Sequence, residues 1–289
     1  MLNFIVNPRA LLGKGKDLLK KIEARLKEVG KAFQIILTQA KGEATEFARR
    51  LTEEGERKIV AVGGDGTMNE VLSGLTNPSE CTFGLIPAGT GNDFAASANL
   101  PSCDKALDHI VNDEVKATDY IQFDDGRRSL NIAGLGLDVD ILLRCERSKI
   151  SFKKIKYFKS LLSSLIHYRG CKLRVEANGE VKEHNAFIAA VCNGKQLGGG
   201  IPLCPVAEID DGKMDLVVVD YPKRSKILGA LIKLMQGKIL TVPFAHHILC
   251  DRAEVFPAEE SYAQYDGEIY PINTFGATLV SGGLMMYRG

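Results

Sequence analysis

No stretch of this 289-residue chain approaches the roughly 18–20 consecutive apolar residues needed to cross a bilayer. Its opening, MLNFIVNPRA, lacks the charged start and long apolar run of a secretory signal. Charge of one sign is also missing. The 37 Lys and Arg against 36 Asp and Glu give a net +1, which argues against general nucleic-acid binding but leaves room for a local basic patch. Seven cysteines are present without a CxxC pair, so neither a disulfide framework nor a zinc site is expected, and a reducing compartment fits. There is no internal repeat and no low-complexity linker. These absences leave an expected cytoplasmic globular protein, long enough to bury a sizeable core, that can still touch a membrane surface. Glycine is abundant, with 29 residues, which suggests close approach of backbone to a ligand.

The first 120 residues alternate between short apolar runs and helical periodicity. Strands are predicted at 2–6, 33–37, 58–62 and 83–86, and helices at 16–29, 43–54 and 67–75. This order implies an α/β domain with a parallel sheet covered by helices, whose ligands bind at the carboxyl ends of the strands. After residue 120 strand-like segments dominate, at 120–123, 129–133, 172–176, 187–191, 214–219, 253–256 and 278–281. Two helical stretches, 152–168 and 225–240, interrupt them. The expectation is an α/β domain over 1–120 and a mostly antiparallel β domain over 121–289, whose last strand is able to return to the first domain. Asn178-Gly179 reads as a two-residue hairpin turn.

The strand at 58–62 runs into Gly63-Gly64-Asp65-Gly66-Thr67 and then a helix. Glycines at a helix N-terminus let backbone amides approach phosphate oxygens, and the helix dipole favours negative charge there. Neither GxxxxGK[ST] nor GxGxxG describes this loop. Asp65 within it would repel phosphate unless a cation or a proton transfer makes it useful; a helix cap is the plain alternative. A second loop, Pro87-Ala88-Gly89-Thr90-Gly91-Asn92-Asp93, follows the next strand and emerges at the same sheet edge. Asn7-Pro8 ends the first strand and Thr38 the second. Lys14 and Lys16 stand nearby in sequence, as phosphate-neutralising groups or as ordinary solvated lysines.

GGDGTMNEV at 63–71, PAGTGNDFA at 87–95, the initial NP, AEIDDGKMDLVVV at 207–219 and YDGEIY at 265–270 resemble the diacylglycerol kinase catalytic-domain family. The similarity is closest to bacterial lipid kinases grouped with diacylglycerol and sphingosine kinases, and more distant to NAD kinases. It spans nearly the whole chain. The resemblance implies an NAD-kinase-like nucleotide-binding domain, a β domain, a cleft between them, and ATP- and Mg²⁺-dependent phosphorylation of a lipid hydroxyl. One departure is NPRALLGKG, where the family has a small, glycine-containing turn. Bulky Leu11 and Leu12 leave Asn7 as the better nucleotide contact.

By that resemblance Gly63, Gly64, Gly66, Thr67 and Asn69 cradle the nucleotide, with Asn7, Thr38 and Thr90 as further contacts. Asp65 and Asp93 are candidates for holding Mg²⁺, and Asp119 matches a carboxylate near the same cleft. Glu268, in Asp266-Gly267-Glu268, is the first choice for general base, facing the cleft from the acceptor side; Asp65 is its rival. The Asp210-Asp211-Gly212 turn resembles a structural Mg²⁺ site formed by the Asp211 carboxylate and the carbonyls of Glu208 and Lys213, or is a metal-free hairpin loop.

The run from Arg144 to Arg174 is strongly basic and carries an apolar stripe over 152–166 at helical spacing. It reads either as a membrane-docking helix, with peripheral contact at the inner membrane face, or as a helix packed on the β domain. The 225–240 helix poses the same choice, and His246-His247 read as core or surface histidines without metal partners. The lipid substrate is expected to be presented at a membrane surface, nucleic acid is not an expected partner, and a homodimer stays open. The leading function is therefore an ATP-dependent lipid kinase, most simply acting on diacylglycerol. An NAD kinase and a non-catalytic nucleotide-binding regulator are the alternatives.

Overall fold

A computed structural model describes residues 1–11, 15–148, 150 and 153–289, the side chains of 153–158 excepted. Lys14 and Leu12 lie outside the described residues, as do Lys149 and the side chains of Lys153, Lys154 and Lys156 in the basic run.

The first half runs β1 (Leu2–Val6), α1 (Gly15–Glu28), β2 (Phe33–Leu37), α2 (Glu43–Glu53), β3 (Lys58–Gly63), α3 (Asp65–Gly74), β4 (Thr82–Pro87), α4 (Asp93–Ser97) and α5 (Cys103–Val111). β1 pairs with β2 and β3, and β3 with β4, all parallel. β1 and nearly all of β3 are buried, as an apolar strand sandwiched by helices must be. α1 stops at Gly30, whose φ of 67° few other residues adopt.

α2 packs on α3 so closely that a Cβ on Gly74 would lie 2.3 Å from the Thr45 carbonyl oxygen and 2.7 Å from the Ala48 Cβ. Alanine is the better helix former, but backbone cannot yield as a flexible side chain does. Gly74→Ala should therefore destabilise the protein by about 1–3 kcal/mol in urea melts. A neutral or stabilising result would mean that the two helices can slide apart freely.

The second half runs β5 (Val115–Phe123), β6 (Arg128–Ser129), β7 (Ile132–Gly136), α6 (Leu137–Arg147), α7 (Lys153–His167), β8 (Cys171–Ala177), β9 (Glu180–Cys192), β10 (Met214–Asp220), α8 (Arg224–Met235), β11 (Ala245–Cys250), β12 (Arg252–Pro257), β13 (Ser261–Tyr265), β14 (Glu268–Ile272) and β15 (Phe275–Tyr287). Its pairings are antiparallel. β15 joins the two halves: its start pairs with β12, and Met285 and Met286 pair in parallel with Thr82 and Phe83 of β4. One core lies around the parallel sheet, and two more flank the antiparallel one.

Two hairpins use two-residue loops with both residues at positive φ, Asn178-Gly179 and Asp266-Gly267. The second holds Glu268 directly opposite Tyr265. Residues 236–237 end α8 earlier than periodicity suggests, Gly237 having a φ of 67°. β11, β13, β14, α5 and α6 have no counterpart among the predicted elements.

Candidate functional site

Two cavities meet where the carboxyl ends of β3 and β4 face the β13–β14 hairpin. The first, about 330 Å³, is polar and lined by Asn7, Thr38, Lys41, Gly64, Gly66, Thr67, Glu70, Gly89, Thr90 and Glu268. The second, about 300 Å³, is apolar: Leu137, Ile141, Leu161, Leu165, Phe187, Leu231 and Leu234 are among its walls. Among the described residues its ionisable lining is Asp65, Asp93, Asp138 and Asp266.

A thin septum separates them. Gly64, Gly66, Gly89 and Thr90 face the polar side, while Asp65, Gly91 and Gly267 face the apolar side. The glycines are needed because backbones touch: a Cβ on Gly89 would lie 2.4 Å from the Gly64 Cα. One on Gly91 would lie 3.0 Å from Asp65 Oδ2, and one on Gly66 would lie 3.1 Å from Glu268 Oε1. The hairpin loop thus closes over the glycine loop from the other domain.

Asp65 opens α3 and leaves the capping position to Gly64. Burial pushes its pKa up, and the neighbouring Asp93 carboxylate pushes it further; the Phe94 amide, 3.3 Å from Oδ1, pulls the other way. A carboxylate with a raised pKa beside an apolar cavity is a better base than an exposed one.

Glu268 lines the polar cavity and not the apolar one, pairing with Lys41, because the Asp266-Gly267 turn swings it over Gly66. That ion pair raises the Lys41 pKa.

Asp93 lies with Asp65 but does not point a free carboxylate at it. Its oxygens accept from the amides of Gly199 (2.8 Å) and Gly200 (2.7 Å) and from Gln196 Nε2 (3.2 Å). It fixes the 196–200 loop, which walls the apolar cavity. Asp93→Asn turns an amide NH₂ toward backbone donors, so it should destabilise the protein by about 1–3 kcal/mol in urea melts. Loss of its charge should also lower the Asp65 pKa, which carboxyl NMR reads. An unchanged melt would refute the positioning role.

Asp119 is drawn away from the cavities. It is 1% exposed, and its oxygens are taken by the amides of Gly212 (2.8 Å) and Gly282 (2.6 Å). It clamps the acidic turn to the bulge in β15. That turn is closed by protein groups: Asp211 accepts from the Lys213 amide at 2.9 Å, Asp210 pairs with Arg288, and Glu208 pairs with Lys195. Asp211, Glu208 and Lys213 do not line either cavity.

Two members of the expected cradle have other work. Asn69 is buried and donates to Arg128 O (2.9 Å) and Asp266 Oδ2 (3.0 Å). Gly63 makes room for Thr67, whose Oγ1 would lie 2.4 Å from a Cβ there. Asn7 Nδ2 donates to that hydroxyl at 3.2 Å, and Thr38 Oγ1 donates to Val6 O at 3.3 Å. Lys16 is exposed on α1 and outside the polar cavity's lining.

Sequence reasoning missed two carboxyl groups. Asp266 accepts from Asn69, Ser129 and the amides of Leu130, Asn131 and Ile132, although burial still pushes its pKa up to about 6. It fastens the hairpin loop to α3 and β7. Asp138 is 8% exposed and lines the apolar cavity, and among the described residues neither of its oxygens has a hydrogen-bond partner of good geometry. Burial pushes its pKa up to about 6, with the nearby Val139 amide and Gln264 pulling the other way. The GLGLD run offers no motif on which to single it out.

α7 and α8 contribute Leu161, Leu165, Leu231 and Leu234 to the apolar cavity, yet leave Leu162, Ile166, Leu228, Ile232 and Met235 exposed. Among the described residues no helix is long and apolar enough to cross a membrane.

The comparisons with known proteins agree with this geometry. Residues 1–123 match the diacylglycerol kinase catalytic domain, and residues 131–286 match the YegS C-terminal NAD kinase beta sandwich-like domain. The chain is 32% identical over 210 residues to a "Probable lipid kinase YegS-like" of Enterobacter sp. (strain 638), covering 70% of this chain and 69% of that protein. It is 25% identical over 292 residues to a diacylglycerol kinase of Bacillus subtilis (strain 168), covering 98% and 93%. The fold matches a diacylglycerol kinase crystal structure from Bacillus anthracis str. Sterne with a TM-score of 0.76, at 23% identity over 100% of this chain and 96% of that one. It also matches an NAD kinase from Archaeoglobus fulgidus in complex with ATP, with a TM-score of 0.53 at 14% identity over 100% and 94%. Both halves of the chain thus match parts of one family, and the chain belongs to the diacylglycerol kinase/YegS family of lipid kinases.

Proposed function

We propose that this kinase transfers the γ-phosphoryl group of ATP to the primary hydroxyl of diacylglycerol, giving phosphatidic acid. The observation that carries the reading is the septum: a polar, glycine-lined cavity and an apolar cavity share a wall only a loop thick, with Asp65 on the apolar side. ATP sits with its phosphates against the amides of Gly64, Gly66 and Gly89, near Asn7, Thr38, Thr67 and Thr90. The acceptor's tails lie among Leu137, Ile141, Leu161 and Leu231, and its hydroxyl reaches the septum. Asp65 accepts the hydroxyl proton as the oxygen attacks. This reverses the ranking of the two carboxylates, because the acceptor side belongs to Asp65.

Mg²⁺ suits the polar cavity, where Glu70 and Glu268 offer carboxylate oxygens beside threonine hydroxyls; hard cations take such donors and keep waters. Bound there, it would neutralise phosphate charge. The exposed apolar side chains of α7 and α8, next to the cavity they wall, suit a lipid drawn from a membrane surface. The apolar lining disfavours NAD⁺, a polar dinucleotide, as acceptor. One second reading has support in Asp138: an unpaired carboxyl in an apolar cavity would pair with the ammonium of a sphingoid base.

The test is incubation of the protein with labelled ATP, Mg²⁺ and mixed micelles of diacylglycerol, sphingoid base, phosphatidylglycerol or polyprenol, with NAD⁺ in a parallel reaction. Label in phosphatidic acid is expected. Label on NAD⁺ alone would overturn the lipid reading, and label on the sphingoid base alone would replace diacylglycerol.

A further inference from the structure

Outside the linings of both cavities, Cys204, Asp215 and His247 come together. Asp215 is on β10 and His247 on β11, one diagonal step apart in the antiparallel register. Cys204 comes from the β9–β10 connection, where its amide donates to Lys195 O at 3.1 Å. One ligand atom from each, Sγ, a carboxylate oxygen and an imidazole nitrogen, lie within 4.8 Å of one another. His247 Nε2 is 2.5 Å from Asp215 Oδ1. Cys204 is 0% exposed and Asp215 2%, whereas the His247 side chain reaches solvent.

We infer that Cys204, Asp215 and His247 form a binding site for a thiophilic divalent cation, zinc above all. Four observations carry this. The donor set is soft and borderline, one sulfur, one nitrogen and one oxygen, which is zinc's preference and not that of magnesium or calcium. In a tetrahedral zinc site neighbouring ligand atoms stand about 3.3–3.8 Å apart, so the three atoms are already on that scale, and the His247 Nε2–Asp215 Oδ1 pair opens from its 2.5 Å hydrogen bond as the cation enters. Charge closes: the thiol proton leaves to solvent, and thiolate plus carboxylate balance two positive charges with a neutral imidazole beside them. Finally, Cys204 and Asp215 are buried while His247 reaches solvent, which leaves the cation a way in. The expectation of no zinc site looked for paired CxxC motifs, and here the donors come from separate strands and a loop.

The cation would pin the 195–207 connection to the β10–β11 pair, the segment whose other end Asp93 holds over the apolar cavity. A second cluster, His184 from β9 with Asp220 of β10 and His246 of β11, has no sulfur, which lets one spectroscopic experiment tell them apart.

The full-length protein, stripped with chelator and kept reduced, is titrated with Co²⁺. The expected result is one equivalent bound with visible bands of a tetrahedral site, a near-ultraviolet thiolate-to-cobalt charge-transfer band, and loss of both on adding Zn²⁺. Cys204→Ser should remove the charge-transfer band, His247→Gln should weaken binding at least tenfold, and His184→Ala should leave both unchanged. Zn²⁺ should raise the melting temperature of the parent protein but not of Cys204→Ser. Should Cys204→Ser fail to fold, the half-exposed His247→Gln still decides the matter. No Co²⁺ binding, binding without the thiolate band, or a spectrum lost in His184→Ala would overturn the site.

Discussion

Asp65→Asn is expected to lower kcat by about 10²–10⁴-fold, the range for loss of general-base catalysis, while ATP affinity stays near that of the parent protein. The amide keeps the shape and the Phe94 contact but cannot take a proton. Because the carboxyl pKa is raised by burial and by Asp93, the acid limb of the parent kcat profile should lie above the ordinary carboxylate range. Asp65→Asn should show a low rate without that limb. Glu268→Gln should behave differently. It breaks the Lys41 pair and removes an oxygen from the polar cavity, so the apparent Mg²⁺ and ATP requirements should rise along with any fall in rate. A Mg²⁺ titration of both variants decides between them. If Glu268→Gln lowers only kcat while Asp65→Asn shifts the Mg²⁺ midpoint, the two roles exchange.

What the sequence revealed follows from where its signals are local. β1 and β3 are continuous apolar runs, and the loops after β3 and β4 carry glycines where backbones touch, so the parallel half and its glycine loops could be read directly. β11, β13 and β14 are short, β11 and β14 are mostly half-buried with two histidines in one and a proline in the other, and β13 buries Ala263, Gln264 and Tyr265 in a row, so their alternation is faint. Asp93 and Asp119 look like ligand-holding carboxylates in one dimension. Their partners, the amides of Gly199 and Gly200 and those of Gly212 and Gly282, come from distant segments that only the fold supplies. The side of the septum that Glu268 faces depends on the geometry of a two-residue turn, to which residue order is blind. The partners of His246 and His247 were illegible for the same reason as those of Asp93.

Asp138→Asn should stabilise the protein at neutral pH, and the gain should vanish in acid. The folded-state pKa is raised, to about 6 from an ordinary 3.8, so between these values the folded protein binds the proton that the unfolded chain has released. Stability must therefore fall as pH rises from about 4 to about 6 and stay lower above that. Each tenfold in protonation is worth about 1.4 kcal/mol, which sets the loss above pH 7 at up to about 3 kcal/mol. Asparagine cannot ionise and escapes it. Asp266 titrates in the same window, so the comparison is between urea melts of parent and variant at each pH, in which that contribution cancels. A gain of similar size at pH 4.5 and 7.5 would mean that Asp138 is not the titrating group. An acceptor assay then shows what the strained carboxyl is for. With diacylglycerol the asparagine can still hydrogen-bond a neutral headgroup, so activity should largely survive. A sphingoid base would lose the partner of its ammonium, and its KM should rise steeply. Survival on one acceptor and failure on the other would identify the headgroup that this carboxyl is kept to meet.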